Sequence, residues 1–163
     1  MNIFVLDEDV KKCARYHCDK HVVKMILESA QLLCSAYYHT GEEILSPYKL
    51  THKNHPCTKW VRESLSNWLW LRDLGLALYD EYKYRYNNKK HKSGEIIKQL
   101  PIPLLNDYGL TKRPQAMPIQ YMDINTVQAY RNYYIGDKQH LIKYTKRETP
   151  NWIIDKICAN IFE

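Results

Sequence analysis

Residues 17–35 read HCDKHVVKMILESAQLLCS, and the rest of the chain is organised around them. On a helix that advances 100° per residue, the polar side chains of this stretch fall in an arc of about 80°. They are His17, His21, Lys24, Glu28, Gln31 and Ser35. The remaining surface is almost wholly apolar, which is the inverse of an ordinary surface helix. The pattern therefore predicts a helix that is buried on most sides.

The polar stripe of this helix needs partners, because buried polar groups form hydrogen bonds with protein, ligand or water. We interpret it as the wall of a site. The simpler interpretation is the solvated face of a helix at the edge of the core. The mixture of imidazole, amine, carboxylate and amide groups favours the site.

Length and composition limit the class of protein. With 163 residues the chain is long enough for one domain with a real core, and we expect a single helical domain over residues 1–163. Lys and Arg number 24 against 18 Asp and Glu, and the formal charge of +6 suits a polyanionic partner such as DNA or a nucleotide. The cysteines form no C-x-x-C pair, and the chain has no signal peptide or long apolar run. We expect reduced thiols, a cytoplasmic protein and no membrane contact.

Helical patterns dominate the rest of the chain. Residues 2–6, NIFVL, predict a short extended segment, after which Asp7 is placed to cap a first helix that ends near Tyr16. The organising helix should end at Gly41, a residue that adopts the left-handed conformation easily. Further helices are predicted at residues 57–86, 94–100, 123–134 and 137–144, with an apolar tail at 152–162 that docks on the core.

Residues 101–121 contain four prolines and two apolar clusters, which predicts an ordered loop that covers the core. Taken together, the patterns predict an all-α or nearly all-α fold. We expect a compact single-domain helical bundle with a short extended N-terminal segment.

The predicted helix at residues 57–86 supplies a second group of polar side chains. Ser64 and Asn67 lie on the same side of it as Trp60, and polar groups among tryptophans need partners. We expect these three residues and His55 to form the opposite wall of the site, with Trp60 stacked on a base.

Two kinds of chemistry fit the stripe. His17 and His21 have the i, i+4 spacing that lets two imidazoles share a metal ion. However, Cys18 stands where the zinc-protease motif has its glutamate, so we predict no metal and no cofactor. Lys24 and Glu28 form either an ordinary ion pair or, in a dry cleft, a base and an amine for catalysis. His21 beside them would titrate near neutrality.

Three blocks of sequence resemble a small protein family found in phages and large DNA viruses. They are MNIFVLDED at residues 1–9, DKHVVKMILESAQLL at 19–33 and THKNHPCTKWVRES at 51–64. More distantly, the layout resembles the endonuclease V-type pyrimidine-dimer DNA glycosylases. Lys146, Arg147, Pro150 and Trp152 are similar to a basic-Pro-Trp element of that class, and His55, Pro56 and Trp60 to an HP-x-x-x-W block of its bacterial relatives.

This resemblance implies an all-α fold and a particular chemistry. In that class the N-terminal α-amine attacks the sugar C1′ to give a Schiff base, assisted by a glutamate and an arginine three residues later. The matching positions here carry His21 and Lys24, so Glu28 or Asp19 would replace the glutamate. Asn2 is bulky, so we expect Met1 to be retained.

Our first hypothesis is therefore a DNA base- or nucleotide-processing enzyme of glycosylase or lyase type. His21, Lys24 and Glu28 would be catalytic. The substrate-binding residues would be His17, Gln31, His55, Trp60, Ser64, Asn67, Lys146, Arg147 and Trp152. The alternatives are a non-catalytic viral binder of a nucleotide or another phosphorylated small molecule, and a structural phage protein whose stripe is a buried hydrogen-bond network.

Overall fold

The computed structural model describes residues 1–159, and this part of the chain is helical, without a β-strand. The α-helices are α1 (Val10–Tyr16), α2 (Asp19–Thr40), α3 (Pro56–Glu63), α4 (Leu65–Arg85), α5 (Lys92–Gln99), α6 (Thr126–Asp137) and α7 (Asn151–Ala159). Short 3₁₀ helices lie at Glu43–Leu45, Ile119–Tyr121 and Gln139–Leu141. The predicted all-α fold is confirmed.

Helix α2 is the central element, as the periodicity predicted. It packs against α3, α4 and α5, and its apolar side chains lie in the core together with the buried residues 3–6. Gly41 ends the helix with a φ of 77°, as predicted, and Pro56 opens α3 behind the cap His55. None of the helices in residues 1–159 is long and apolar enough to span a bilayer.

Three predicted helix boundaries are wrong for identifiable reasons. Asp9, and not Asp7, caps α1, because the Asp9 side chain accepts a hydrogen bond of 2.8 Å from the Lys12 N–H. His17 does not belong to α2 but is the C-cap of α1, with an extended ψ of 131°. The predicted helix at residues 57–86 is two helices, because the Ser64 backbone is extended and interrupts the helix. The Ser64 side chain donates a hydrogen bond to Asp107.

The C-terminal third also differs in detail from the prediction. Asn125 caps α6 by accepting a hydrogen bond from the Gln128 N–H, and the helix continues past the predicted end at residue 134 to Asp137, with Gly136 inside it. The predicted helix at residues 137–144 is reduced to one 3₁₀ turn. Residues 101–118 form an ordered loop without regular structure, as expected. The apolar tail is helical to Ala159, and its last residues, 160–162, lie outside the described part.

Candidate active site

Glu28 lies at the centre of the most unusual polar cluster on α2. Its Oε2 atom accepts a hydrogen bond of 2.8 Å from the backbone N–H of Asn2 and lies 4.0 Å from the amino group of Met1. Its Oε1 atom lies 3.5 Å from the Lys24 ammonium group. Only 12% of the Glu28 side chain is exposed, against 67% for Lys24. One carboxylate, buried except at its edge, thus lies between two primary amines.

Asn2 is held beside Glu28 by residues from the far end of the chain. Its Nδ2 donates to the carbonyl of Ala116 at 2.9 Å, and its Oδ1 accepts from the Tyr130 hydroxyl at 2.8 Å. Tyr130 is fully buried, and its hydroxyl also accepts from the Ala116 N–H at 3.2 Å. We call this set of bonds among Asn2, Ala116 and Tyr130 the N-terminal clamp. Sequence reasoning missed it, although an asparagine that opens a buried apolar run must find partners.

His55 belongs to the same neighbourhood. Its Nδ1 accepts from the Cys57 N–H at 3.1 Å and caps α3. Burial lowers the pKa of His55, and the positive Met1 amine close by lowers it further. Burial raises the pKa of Cys57 to about 12, so this thiol stays protonated. His55 thus lies near the Met1 amine and the Glu28 carboxylate, and Gln31 follows Glu28 one turn later on α2.

His21 and His17 belong instead to a buried aromatic cluster. The His21 ring stacks on Phe4 with 4.4 Å between ring centres, and its Nδ1 shares a 2.6 Å hydrogen bond with the Tyr134 hydroxyl. His17 donates from Nδ1 to the Cys13 carbonyl at 2.7 Å. Burial lowers the pKa to about 3 for His21 and about 4 for His17. The expectation that His21 titrates near neutrality is therefore wrong.

The predicted second wall contacts the loop that covers the core. Trp60 donates from Nε1 to the Thr111 carbonyl at 3.3 Å. Asn67 donates to the Trp60 carbonyl at 2.8 Å and to the Thr111 hydroxyl at 2.9 Å. Ser64 donates to Asp107 at 2.9 Å. These side chains fasten residues 107–111 to α3 and α4, and none of their bonds reaches Glu28.

The predicted basic-Pro-Trp element lies at the end of α4. Lys146 donates to the Tyr84 carbonyl at 3.2 Å, and Arg147 binds both carboxylate oxygens of Glu81 at 2.9 and 3.0 Å. The Trp152 ring lies edge-on to Tyr16, with 5.9 Å between ring centres. This element is therefore separate from the Glu28 cluster in its contacts.

A buried ionic network anchors that element to α2. Arg85 donates to Asp19 at 3.0 Å and to Glu81 at 2.8 Å, and it is fully buried. Burial opposes the charges on Asp19 and Glu81, but hydrogen bonds from Thr145 and the two arginines outweigh it and lower the pKa of both carboxyls. Asp19 lies nine residues before Glu28, about 13 Å along the helix axis.

Metal ligands do not converge anywhere in residues 1–159, where no three His, Cys, Asp or Glu side chains lie close enough to share an ion. The premise of two histidines on one helix is wrong, because His17 precedes α2. His17 and His21 each use one ring nitrogen in a hydrogen bond to the protein.

Comparison with known proteins gives one match. The family model described as pyrimidine dimer DNA glycosylase matches residues 1–93, more than half of the 163 residues. Curated proteins and solved structures gave no match. The matched part contains Met1, Lys24, Glu28 and His55, but the partners of Asn2 in the N-terminal clamp lie beyond it. The chain thus has a DNA glycosylase-like function with DNA as its ligand, and it belongs to the pyrimidine dimer DNA glycosylase family.

Proposed function

We propose that this protein is a DNA glycosylase with abasic-site lyase activity on damaged pyrimidines, and that Glu28 and the amino group of Met1 carry the reaction. The observation that supports this most directly is the buried carboxylate 4.0 Å from that amine. An amine is a nucleophile for sugar C1′ only when it has lost its proton, and a carboxylate at this distance is placed to accept one.

The reaction proceeds in balanced steps. The Met1 ammonium group gives one proton to Glu28, and the neutral amine forms a bond to C1′ while the glycosidic bond breaks and the base leaves with its electron pair and takes up that proton. Glu28, ionised again, accepts the second proton that the nitrogen releases and passes it to the ring oxygen O4′. The C1′–O4′ bond then breaks, and a protonated Schiff base forms. This cation lowers the barrier to elimination of the 3′ phosphate.

The other predicted residues are assigned supporting roles in this proposal. Lys24, exposed beside Glu28, binds a DNA phosphate or serves as the alternative amine. Gln31 and His55 contact the substrate, while His21 and His17 support α2 from the aromatic cluster. Lys146 and Arg147 contact the DNA backbone near the N-terminal end of α2. The Met1 side chain is only 5% exposed, so it must move aside when the sugar enters.

Borohydride trapping tests the proposal. The wild-type protein, Glu28→Gln, Lys24→Ala and the exposed control Glu43→Gln are incubated with abasic-site, dimer-containing and undamaged DNA. We expect a covalent adduct on the first two substrates, about 100-fold slower trapping in Glu28→Gln, and wild-type rates in Glu43→Gln. Mass analysis of the DNA-linked peptide identifies the nitrogen, which we expect to be that of Met1.

Two results would contradict the proposal in different ways. An adduct on the Lys24 peptide that Lys24→Ala abolishes would transfer the nucleophile from Met1 to Lys24. Saturable binding of one nucleotide per chain, without adduct or cleavage on any DNA, would instead identify a non-catalytic binder.

A further inference from the structure

Residues 119–124 carry large apolar side chains into solvent. Ile119 is 82% exposed, Met122 47% and Ile124 94%. Burying a side chain of this size stabilises a protein by about 2 kcal/mol. Leaving three of them exposed within six residues therefore forgoes a sizeable free energy of folding. We call these three side chains the apolar edge. It lies outside the part of the chain that the family model matches.

The apolar edge is held in a fixed position by its own hydrogen bonds. Gln115 donates from Nε2 to the Asp123 carbonyl at 2.5 Å and accepts from the Asp123 N–H at 3.0 Å. The Asp123 carboxylate accepts from the Asn125 N–H at 2.8 Å, and Tyr121 donates to Asp137 at 2.9 Å. Met122 and Ile124 flank the pinned Asp123, so their exposure is imposed by the fold.

The apolar edge is joined directly to the candidate active site. Ala116, the residue after Gln115, accepts the 2.9 Å hydrogen bond from Asn2 in the N-terminal clamp. Ile119 follows Ala116 by three residues, so their Cα atoms are at most about 11 Å apart. Because Gln115 bonds Asp123, Met122 and Ile124 are held near this segment too, within the width of a DNA duplex from the Met1 amine.

We propose that the apolar edge packs against unstacked bases of the damaged duplex and holds the DNA open beside the reacting nucleotide. This inference rests on the proposed glycosylase function. An enzyme that acts on a base in a duplex must take the nucleotide out of the stack, and apolar side chains commonly fill the opened base step. Lys112, exposed on the same surface, supplies a cation for the adjoining phosphate, while the Asp123 carboxylate on that surface accepts a hydrogen bond from the Asn125 N–H. Base faces are apolar and their flanking phosphates are anionic, so this mixture fits DNA.

The test compares two isoleucines of equal exposure. Ile124 and Ile44 are each 94% exposed. Ile44 lies in the 3₁₀ helix that follows α2, and the end of α2 is about 18 Å from Glu28 along the axis of α2. Ile124→Ser, Met122→Ser and the control Ile44→Ser are titrated with a duplex that carries an abasic-site analogue next to 2-aminopurine, and with the undamaged duplex. Fluorescence of 2-aminopurine reports unstacking, and anisotropy reports binding.

We expect Ile124→Ser and Met122→Ser to bind the damaged duplex about tenfold more weakly and to lose the fluorescence rise. Binding of the undamaged duplex, and both properties of Ile44→Ser, should equal those of the wild type. Unchanged affinity and fluorescence in Ile124→Ser would overturn the proposal. A fall in oligomer mass without a change in DNA binding would also overturn it and would assign the edge to a second copy of the chain.

A second substrate separates this inference from the proposed chemistry. Single-stranded abasic DNA needs no unstacking, so Ile124→Ser should form the borohydride-trapped adduct on it at the wild-type rate. Loss of that adduct in Ile124→Ser would contradict a role in opening the duplex. Absence of the adduct in the wild type would count against the proposed function alone, because the binding comparison does not depend on it.

Discussion

Lys24 and Glu28 are one turn apart on α2, yet the first side chain is 67% exposed and the second 12%. Their Coulomb attraction is therefore partly screened by water on the lysine side, and the pair by itself is worth only a few tenths of a kcal/mol. What distinguishes Glu28 is the second amine, that of Met1, together with the Asn2 N–H. At the level of single residues, the site is defined by the position of the carboxylate more than by its charge.

The two buried histidines predict an acid-sensitive fold. Burial holds the pKa of His17 at about 4 and that of His21 at about 3, against 6.5 for a free imidazole. Below about pH 6.5 the unfolded chain binds protons that the folded chain does not, so stability falls as the pH decreases. At pH 5 each histidine should cost roughly 2 kcal/mol relative to pH 7. Urea unfolding between pH 7 and 5 measures this loss.

The variant His21→Gln isolates one of the two contributions. It should be less stable than the wild type at pH 7, because the stacking on Phe4 is weakened, but it should lose about 2 kcal/mol less between pH 7 and 5. The carboxyl groups and the other histidines are the same in the two proteins, so their contributions cancel when the pH slopes are compared. Equal pH slopes in the two proteins would show that His21 is not held neutral.

At the level of elements, two sets of polar contacts join α2 to distant parts of the chain. The ionic network of Arg85 joins the start of α2 to the end of α4, and the N-terminal clamp joins its middle, through Asn2 and Glu28, to α6. Removing one partner from a buried ion pair costs more than the pair contributes, because a charge is left without compensation. The network thus holds the N-terminal end of α2 in place, while the clamp holds Asn2 and the neighbouring Met1 amine beside Glu28.

Tyr130→Phe tests the clamp at this scale. The substitution removes the hydroxyl that holds Asn2 and Ala116, so the Met1 amine should be less well positioned, and the borohydride-trapping rate should fall about tenfold while DNA affinity is unchanged. Tyr37→Phe is a matched control, because both hydroxyls lie 2.5–2.9 Å from a proline carbonyl and both rings are buried.

Both tyrosine variants should lose about 1 kcal/mol of stability through the missing hydrogen bond. Only Tyr130→Phe should lose trapping rate. If the two variants slow trapping equally, the effect belongs to general destabilisation and the clamp does not position the amine.

Local patterns predicted α2 and its end at Gly41, because both depend on residues close in sequence. The clamp could not be predicted in the same way, since Asn2 and Tyr130 are 128 residues apart. His21 was misjudged for a related reason. Its helical position is clear from the sequence, but its pKa depends on Phe4 and Tyr134, which reach it from other elements.

At the level of the whole molecule, the two parts of the chain are interdependent. Arg131 donates to the Leu6 carbonyl at 2.9 Å, and Thr145 donates to Asp19 at 2.7 and 2.9 Å. These bonds, with the clamp, connect the family-matched residues 1–93 to the remainder. We therefore propose that the chain folds as one unit and not as a matched domain with an appendix.

A fragment of residues 1–100 tests this unity. It contains α1 to α5 but lacks every partner that α6 and the loop before it supply to Asn2, Phe4 and His21. We expect no cooperative thermal transition by circular dichroism, because Phe4 and its buried neighbours would face water. The full chain measured alongside should unfold in one step. A fragment that melts cooperatively would show that residues 1–100 are an independent domain.

The span of the N-terminal clamp has a consequence for how the protein is made. Residue 2 leaves the ribosome long before residues 116 and 130, so the Asn2 side chain is without its clamp partners until 114 further residues have been made. A contact of such long range also forms slowly once both ends are present. On the proposed mechanism, the Met1 amine therefore acquires its fixed place beside Glu28 late in folding, and a chain cleaved before residue 116 should lack a positioned nucleophile.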